Sequence, residues 1–279
     1  MRPELNYADS PLGRLHYAEL GDGFPMLMLH QTPRSHDEFA EVQPLMARSG
    51  YRAIAMDMLG FGLSAPSAVP QTIEQMADGA LNLMDSLNLP SFVAMGHHTG
   101  AVVALELAVR APERVSALVL SSMPWIGPDR RAHAEGALPV DEVLHSRDGS
   151  HLTELWQMRA PYYPSDRSDL LDRFIRDALA PGVDPAEGHR ACSRYEMDNR
   201  IGDVRVPTLL IGAEADPFTR PHLETISAAL INAPNVGIRV IPDGTIPLME
   251  QCATDVVAHV TRFLEPMQLN ASGLDAGGR

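Results

Sequence analysis

The chain of 279 residues contains no lysine; all 22 of its basic residues are arginine. That excludes any mechanism built on a lysine Schiff base or a lysine general base. Cysteine is nearly absent as well: Cys192 and Cys252 stand far apart, belong to no metal-ligand or redox spacing, and read as free thiols in a reducing compartment. No arginine-rich run forms a nucleic-acid footprint, and 36 acidic residues against 22 basic ones give a formal net charge of -14. No run of about 18 apolar residues exists to cross a bilayer. The opening Met1-Arg2-Pro3-Glu4-Leu5-Asn6 lacks the apolar stretch of a secretion signal. The expectations are a cytoplasmic protein whose partner is a small-molecule substrate, with no nucleic acid, no membrane, no cofactor and no metal. The composition is compatible with a homodimer.

With 45% hydrophobic residues the chain can bury one large core. Short apolar runs alternate with helical stretches: residues 25–30, 52–57, 91–96, 115–120, 207–212 and 236–241 read as strands. Their continuous apolarity predicts a mostly parallel sheet buried on both faces. A half-exposed stretch over 14–20 fits an antiparallel edge. Apolar spacing predicts helices over 71–87, 99–109 and 255–264. Residues 124–204 interrupt the alternation with helical candidates at 152–159, 168–179 and 187–199. About 80 residues within one crossover are too many for a loop and predict an inserted helical cap. The organisation expected is a core over 1–123 and 205–265, a cap over 124–204, and a frayed glycine-rich tail over 266–279.

The strand at 91–96 runs into Gly96-His97-His98-Thr99-Gly100 and then into a helix of alanine and valine. Small residues two before and two after a central residue, between strand and helix, mark a strained nucleophile turn. Three further segments follow the same pattern: His30-Gln31-Thr32-Pro33 after a strand, Asp57-Met58-Leu59-Gly60-Phe61-Gly62-Leu63-Ser64, and Ile211-Gly212-Ala213-Glu214-Ala215-Asp216-Pro217. In these segments, over about residues 12 to 265, the chain resembles the α/β-hydrolase superfamily, in particular its capped esterases, epoxide hydrolases, dehalogenases and carbon-carbon hydrolases. The resemblance implies an α/β-hydrolase fold and makes Asp216 the counterpart of the triad acid. It also implies a backbone oxyanion hole, expected here at the amides of Gln31 and Thr99.

Two departures bear on function. The central turn position holds His98 rather than serine, cysteine or aspartate. The family's base would follow the last strand in Gly-His-x-Pro, but here the segment reads Gly244-Thr245-Ile246-Pro247, with Thr245 in place of histidine. A seryl ester activated by histidine cannot be written with these residues. The expectation is that His98 leans into the space left by Thr245 and meets Asp216 within about 3.5 Å, as a general base with Thr245 as hydroxyl neighbour. Candidate substrate contacts are His30, Thr32, Arg34, His97, Trp156 and Tyr163. For Arg34 an exposed salt bridge competes with a substrate carboxylate; for His97, packing behind the turn; for the cap aromatics, packing on the core. A metal held by His30, His97 and His98 lacks ligand spacing. Three readings stay open: hydrolysis of a small apolar ester or lactone; proton abstraction, lyase or decarboxylase chemistry in the same pocket; and a catalytically inactive ligand-binding protein.

Overall fold

Apolar strands buried on both faces need helices on both faces, and the chain supplies them in alternation. A computed structural model describes residues 2–134 and 140–267; the expected tail beyond 267 lies outside them, and Glu265–Met267 form a 3-10 turn. The strands are β1 (Glu4–Ala8), β2 (Leu15–Leu20), β3 (Phe24–Leu29), β4 (Tyr51–Met56), β5 (Phe92–His97), β6 (Val115–Ser121), β7 (Thr208–Ala213) and β8 (Val236–Ile241). The helices are α1 (Val42–Arg48), α2 (Ile73–Ser86), α3 (Thr99–Arg110), α4 (Pro128–Ala134), α5 (Ser150–Arg159), α6 (Ser168–Ala178), α7 (Glu187–Arg194), α8 (Leu223–Ala229), α9 (Leu248–Gln251) and α10 (Ala253–Leu264). The eight strands form one sheet in the order β1-β2-β4-β3-β5-β6-β7-β8. Only β1 and β2 run antiparallel to their neighbours. This is the α/β-hydrolase fold.

Three expectations change. The stretch at 14–20 is not the edge: β1 pairs outside it, and β2 is almost wholly buried. The edge strand β1 was missed because Glu4–Ala8 is polar and mostly exposed. At the other edge, β8 is half-exposed rather than covered on both faces. The helix expected over 187–199 breaks after Arg194, and Met197–Asn199 continue as a 3-10 turn.

One side of the sheet packs on α2 and α3, with Met76, Ala80, Val102 and Leu105 buried against Leu27, Ile54 and Leu118. The other packs on α1 and α10, with Val42, Met46, Val256 and Val260 against Met26, Met28, Val93 and Ile211. Helices α4 to α7 leave the alternation between β6 and β7. Among them α5 and α6 hold a small core, in which Leu155, Tyr163, Leu170 and Phe174 close on Ile246. Thr72 caps α2 with a reciprocal box through Gln75, which fixes where that helix starts.

The parallel centre of the sheet delivers β5 into α3 through one residue. His98 has φ 47° and ψ -114°, outside the ordinary basins of an L-residue. The glycines either side make this turn possible. A Cβ on Gly96 would collide with the carbonyl of Gly100, and one on Gly100 with the carbonyl of Leu29 in the neighbouring strand. The His98 amide donates to Ser121 O at 3.0 Å, tying the turn to β6.

This geometry makes the ordinary ranking of alanine over glycine reverse at one position. Thermal unfolding should show His98→Gly more stable than His98→Ala, by on the order of 1 kcal/mol, because only glycine relaxes at positive φ. Gly100→Ala should lose on the order of 3 kcal/mol, since backbone rather than a flexible side chain must give way. Equal stability of the two His98 variants would show that the turn is unstrained.

Candidate active site

His98 is carried by the turn to the floor of a cavity of about 390 Å³. Gln31, Thr32 and Thr99 join it there from the core. Asp216, fully buried at the end of β7, brings Oδ2 to 3.3 Å from His98 Nε2. The approach is out of line for a hydrogen bond, and Nε2 is otherwise unpartnered. The carboxylate is already engaged: Oδ1 accepts from the Phe218 amide at 2.9 Å and Oδ2 from the Thr219 hydroxyl. Thr219, which no motif singles out, is therefore the hydroxyl beside Asp216.

Two influences on the imidazole oppose one another. A carboxylate at 3.3 Å favours the cation. Burial disfavours it, reinforced by the charges of Arg159, His189 and Arg130. The second set wins, burial first, and His98 is pushed down to about 3. His98 is then neutral at pH 7, with Nε2 toward Asp216 and Nδ1 without a hydrogen bond to any described residue.

Several expected contacts are placed elsewhere. Thr245 donates its hydroxyl to Gln251 Oε1 at 2.6 Å and does not line the cavity. Its side chain is turned away by that bond, so it is not the neighbour of His98. His97 is fully buried; Nε2 donates to Ile246 O at 2.9 Å, so Nδ1 is left to accept from Ser121 at 3.1 Å. It is a strut that binds the loop after β8 to the turn. Burial and the adjacent His98 push it down to about 3. His30 is a second strut, with Nδ1 on Gln31 O at 2.7 Å and Nε2 accepting from the Met58 amide at 3.0 Å.

Arg34 neither holds a surface ion pair nor faces the cavity. It is fully buried, with Nε on Asp177 at 3.0 Å, Nη1 on Glu250 and Nη2 on Asp37 at 3.3 Å. Glu250 is buried by the same pairing. Trp156 lines a separate surface depression with Leu152 and Asp172. Tyr163 packs edge-on against Phe174, its ring centroid 6.1 Å away, and is absent from the cavity wall.

The oxyanion segment also differs in detail. The Gln31 amide donates to Glu38 Oε2 at 2.7 Å and is no longer free. The amides of Thr32 and Thr99 have no hydrogen-bond acceptor among the described residues. Their hydroxyls meet at 2.9 Å, which holds the two amide-bearing segments together.

The rest of the cavity wall comes mainly from the helical segment: Arg130, Asp141, Met158, Arg159, Tyr162 and His189. These positions are scattered over 60 residues without a motif, so spacing carried no signal for them. Away from the cavity, His16, His36 and Asp57 bring ligand-type atoms within 4.8 Å of one another. The Asp57 carboxylate there accepts from His16 Nδ1 at 2.8 Å, Leu63 N at 2.8 Å, and His36 N and Nδ1 at 2.6 and 2.9 Å. Those bonds occupy its lone pairs and make it the knot of the Asp57–Ser64 turn.

The sequence matches the family described as alpha/beta hydrolase fold over residues 25–184. It is 31% identical over 118 residues to bifunctional epoxide hydrolase 2 of Mus musculus, covering 42% of this chain and 21% of that protein. It is 26% identical over 265 residues to a non-heme haloperoxidase of Rhodococcus erythropolis, covering 90% and 96%. The chain thus spans about a fifth of the length of the first relative and nearly all of the second. The fold is shared with the enol-lactonase from Burkholderia xenovorans LB400, at a TM-score of 0.75 and 19% identity over 93% of this chain and 100% of that one. With the profile spanning more than half of the sequence and the sheet, turn and carboxylate in the matching order, the chain belongs to the alpha/beta hydrolase fold family.

Proposed function

We propose that the protein is a hydrolase of a small, largely apolar ester or lactone, in which His98 is the general base and no covalent intermediate forms. The observation that carries this reading is the 3.3 Å approach of His98 to Asp216 on a turn that offers no serine, cysteine or aspartate. The substrate lies between the core and the helical cap.

In the proposed step, Nδ1 of His98 takes a proton from a water molecule as the water oxygen bonds to the carbonyl carbon. The carbonyl electron pair moves onto its oxygen, which accepts from the amides of Thr32 and Thr99. Each such donor is worth about 3 kcal/mol when aimed at developing charge. Collapse re-forms the carbonyl, breaks the bond to the leaving oxygen, and returns the proton from His98 to it. A buried imidazole is a weak base in the empty cavity. The oxyanion changes that: a negative charge beside His98 stabilises the imidazolium in the transition state more than in the ground state, as does the fixed Asp216 carboxylate. Thr219 and the Phe218 amide hold that carboxylate in place.

On a panel of aryl esters and lactones, His98→Ala should lower kcat/KM by about 10²- to 10⁴-fold. Asp216→Asn should lower it by about tenfold, a smaller loss because its contact with Nε2 is out of line. Undiminished turnover in both variants would rule the mechanism out. Hydrolysis in ¹⁸O-labelled water should place one solvent oxygen in the acid product; its absence would favour proton abstraction or lyase chemistry in the same pocket.

The pH dependence follows from the burial of the base. Imidazole is the active species above its pKa, and His98 is held at about 3. The kcat/KM profile should therefore stay flat from about pH 8 down to about pH 5, whereas an unperturbed histidine would lose activity below about 6.5. A limb near 6.5 would show that His98 is not the base or is not buried in the free enzyme.

A further inference from the structure

We propose that the roof of the cavity is a carboxylate-binding subsite, so that the substrate is a carbonyl compound carrying a carboxylate. The inference rests on the reading of this cavity as the substrate site and adds the chemical class of the ligand.

The group at its centre is Arg159, at the end of α5, buried to 8% exposure. Asp141 engages it side-on: Nε donates to Oδ1 at 2.7 Å and Nη2 to Oδ2. That geometry uses one edge of the guanidinium fork and leaves Nη1 without a partner among the described residues. His189, from α7, places Nε2 at 3.0 Å from the same Asp141 oxygen, so its Nδ1 is free. Arg130, from α4, forms no ion pair with a described carboxylate and lines the same cavity.

Charge selects the ligand. In a chain with 36 acidic and 22 basic residues, the charged residues of this wall are Arg130 and Arg159 against Asp141. Asp141 is spent on Arg159 and His189, and the burial that would raise its carboxyl is overcome by those neighbours, which bring it down to about 2. Nη2 of Arg159 also lies 3.3 Å from His189 Nε2, so what remains is the Nη1 group of Arg159 and the guanidinium of Arg130, donors with no acceptor capacity. Their complement is a planar anion that accepts in a fork, as a carboxylate does. The same cavity is also lined by the largely apolar side chains of Met158, Tyr162, Phe218 and Ile246. A hydrocarbon spacer between carboxylate and reacting carbonyl fits it.

The subsite also acts on the base. His98 is faced by Arg159 from α5, His189 from α7, Arg130 from α4, His97 from β5 and Asp216 after β7. Burial is the first cause that keeps it neutral, and the charges of Arg159, His189 and Arg130 add to it. A bound carboxylate neutralises them, and the imidazole regains basicity when the ligand is in place.

Titration calorimetry with hexanoate and with hexanamide, its uncharged analogue, tests the subsite without requiring turnover. At pH 7 the wild-type protein should bind hexanoate at least tenfold more tightly, with the preference shrinking as salt is added. Arg130→Gln, on an exposed helix, should reduce it several-fold. The double variant Arg159→Gln, Asp141→Asn removes both charges of the buried pair and should abolish it. Proton NMR titration should show the His98 ring pKa rising by a unit or more with hexanoate and not with hexanamide. Equal affinity for the two compounds in the wild type overturns the proposal, as does a preference that survives in both Arg130→Gln and the double variant. His98→Ala should keep the preference for hexanoate. A preference there alongside a wild-type protein inactive on every ester and lactone would sink the hydrolytic reading and leave the subsite standing.

Discussion

The turn at His98 is the constraint on which the rest of the site depends. A residue at positive φ between a buried strand and a buried helix is costly, on the order of 1 to 3 kcal/mol. It persists because β5 and α3 are held from all sides: Gly96 against Gly100, Gly100 against Leu29, and the His98 amide on β6. The strain points one side chain up from the sheet while the amide of Thr99, at the start of α3, stays unpaired. Side-chain projection and amide exposure are consequences of a single backbone conformation. Any chemistry here uses both or neither.

Much of the fold was legible because it rests on local rules. Buried parallel strands must be apolar throughout, so Phe92–His97 and Thr208–Ala213 declare themselves. Gly96 and Gly100 declare the turn because no side chain fits at either position. The edges were harder: β1 is polar and was missed, while β8 was read at its observed bounds but is half-exposed rather than covered on both faces. At the site, the approach of His98 to Asp216 was readable from the order of segments. Hydrogen-bond choices were not. Whether Gln31 N meets a ligand depends on Glu38 seven residues on, and the direction of Thr245 depends on Gln251. The Arg159–Asp141–His189 group was invisible, since its members meet only once α5 and α7 have packed.

Buried charge has two different uses in this molecule. Beneath the oxyanion segment, Arg34 is fully satisfied by Asp177, Glu250 and Asp37. Ser35 adds a bond to the same Asp177 at 3.0 Å. Such a knot ties α6 and α9 to the loop after β3 and fixes the Thr32 amide, and losing one member would strand the others in a medium that punishes unpaired charge. In the cavity wall, Arg159 is paired through Nε and Nη2 while Nη1 has no hydrogen-bond partner among the described residues. The contrast between a closed cluster and an open one separates structural arginine from arginine available to a ligand, and sequence gives the two the same letter.

The paired exchange at positions 98 and 245 has a physical logic beyond the loss of a triad. Restoring serine alone at position 98 would leave a hydroxyl with no base, because Thr245 is bonded to Gln251 and His97 is locked between Ser121 and Ile246. Restoring histidine alone at position 245 would put a second imidazole near His98 and Asp216, whose oxygens already serve Phe218 and Thr219. Neither single change leads back to a working nucleophile, so the two positions have to be read together. His97 makes the arrangement firmer still: by holding the Ile246 carbonyl it fixes the loop in which a family base would stand. His98 is then the only imidazole among the described residues that both lies beside Asp216 and lines the cavity, and it is held neutral first by burial and then by the charges of Arg159, His189 and Arg130.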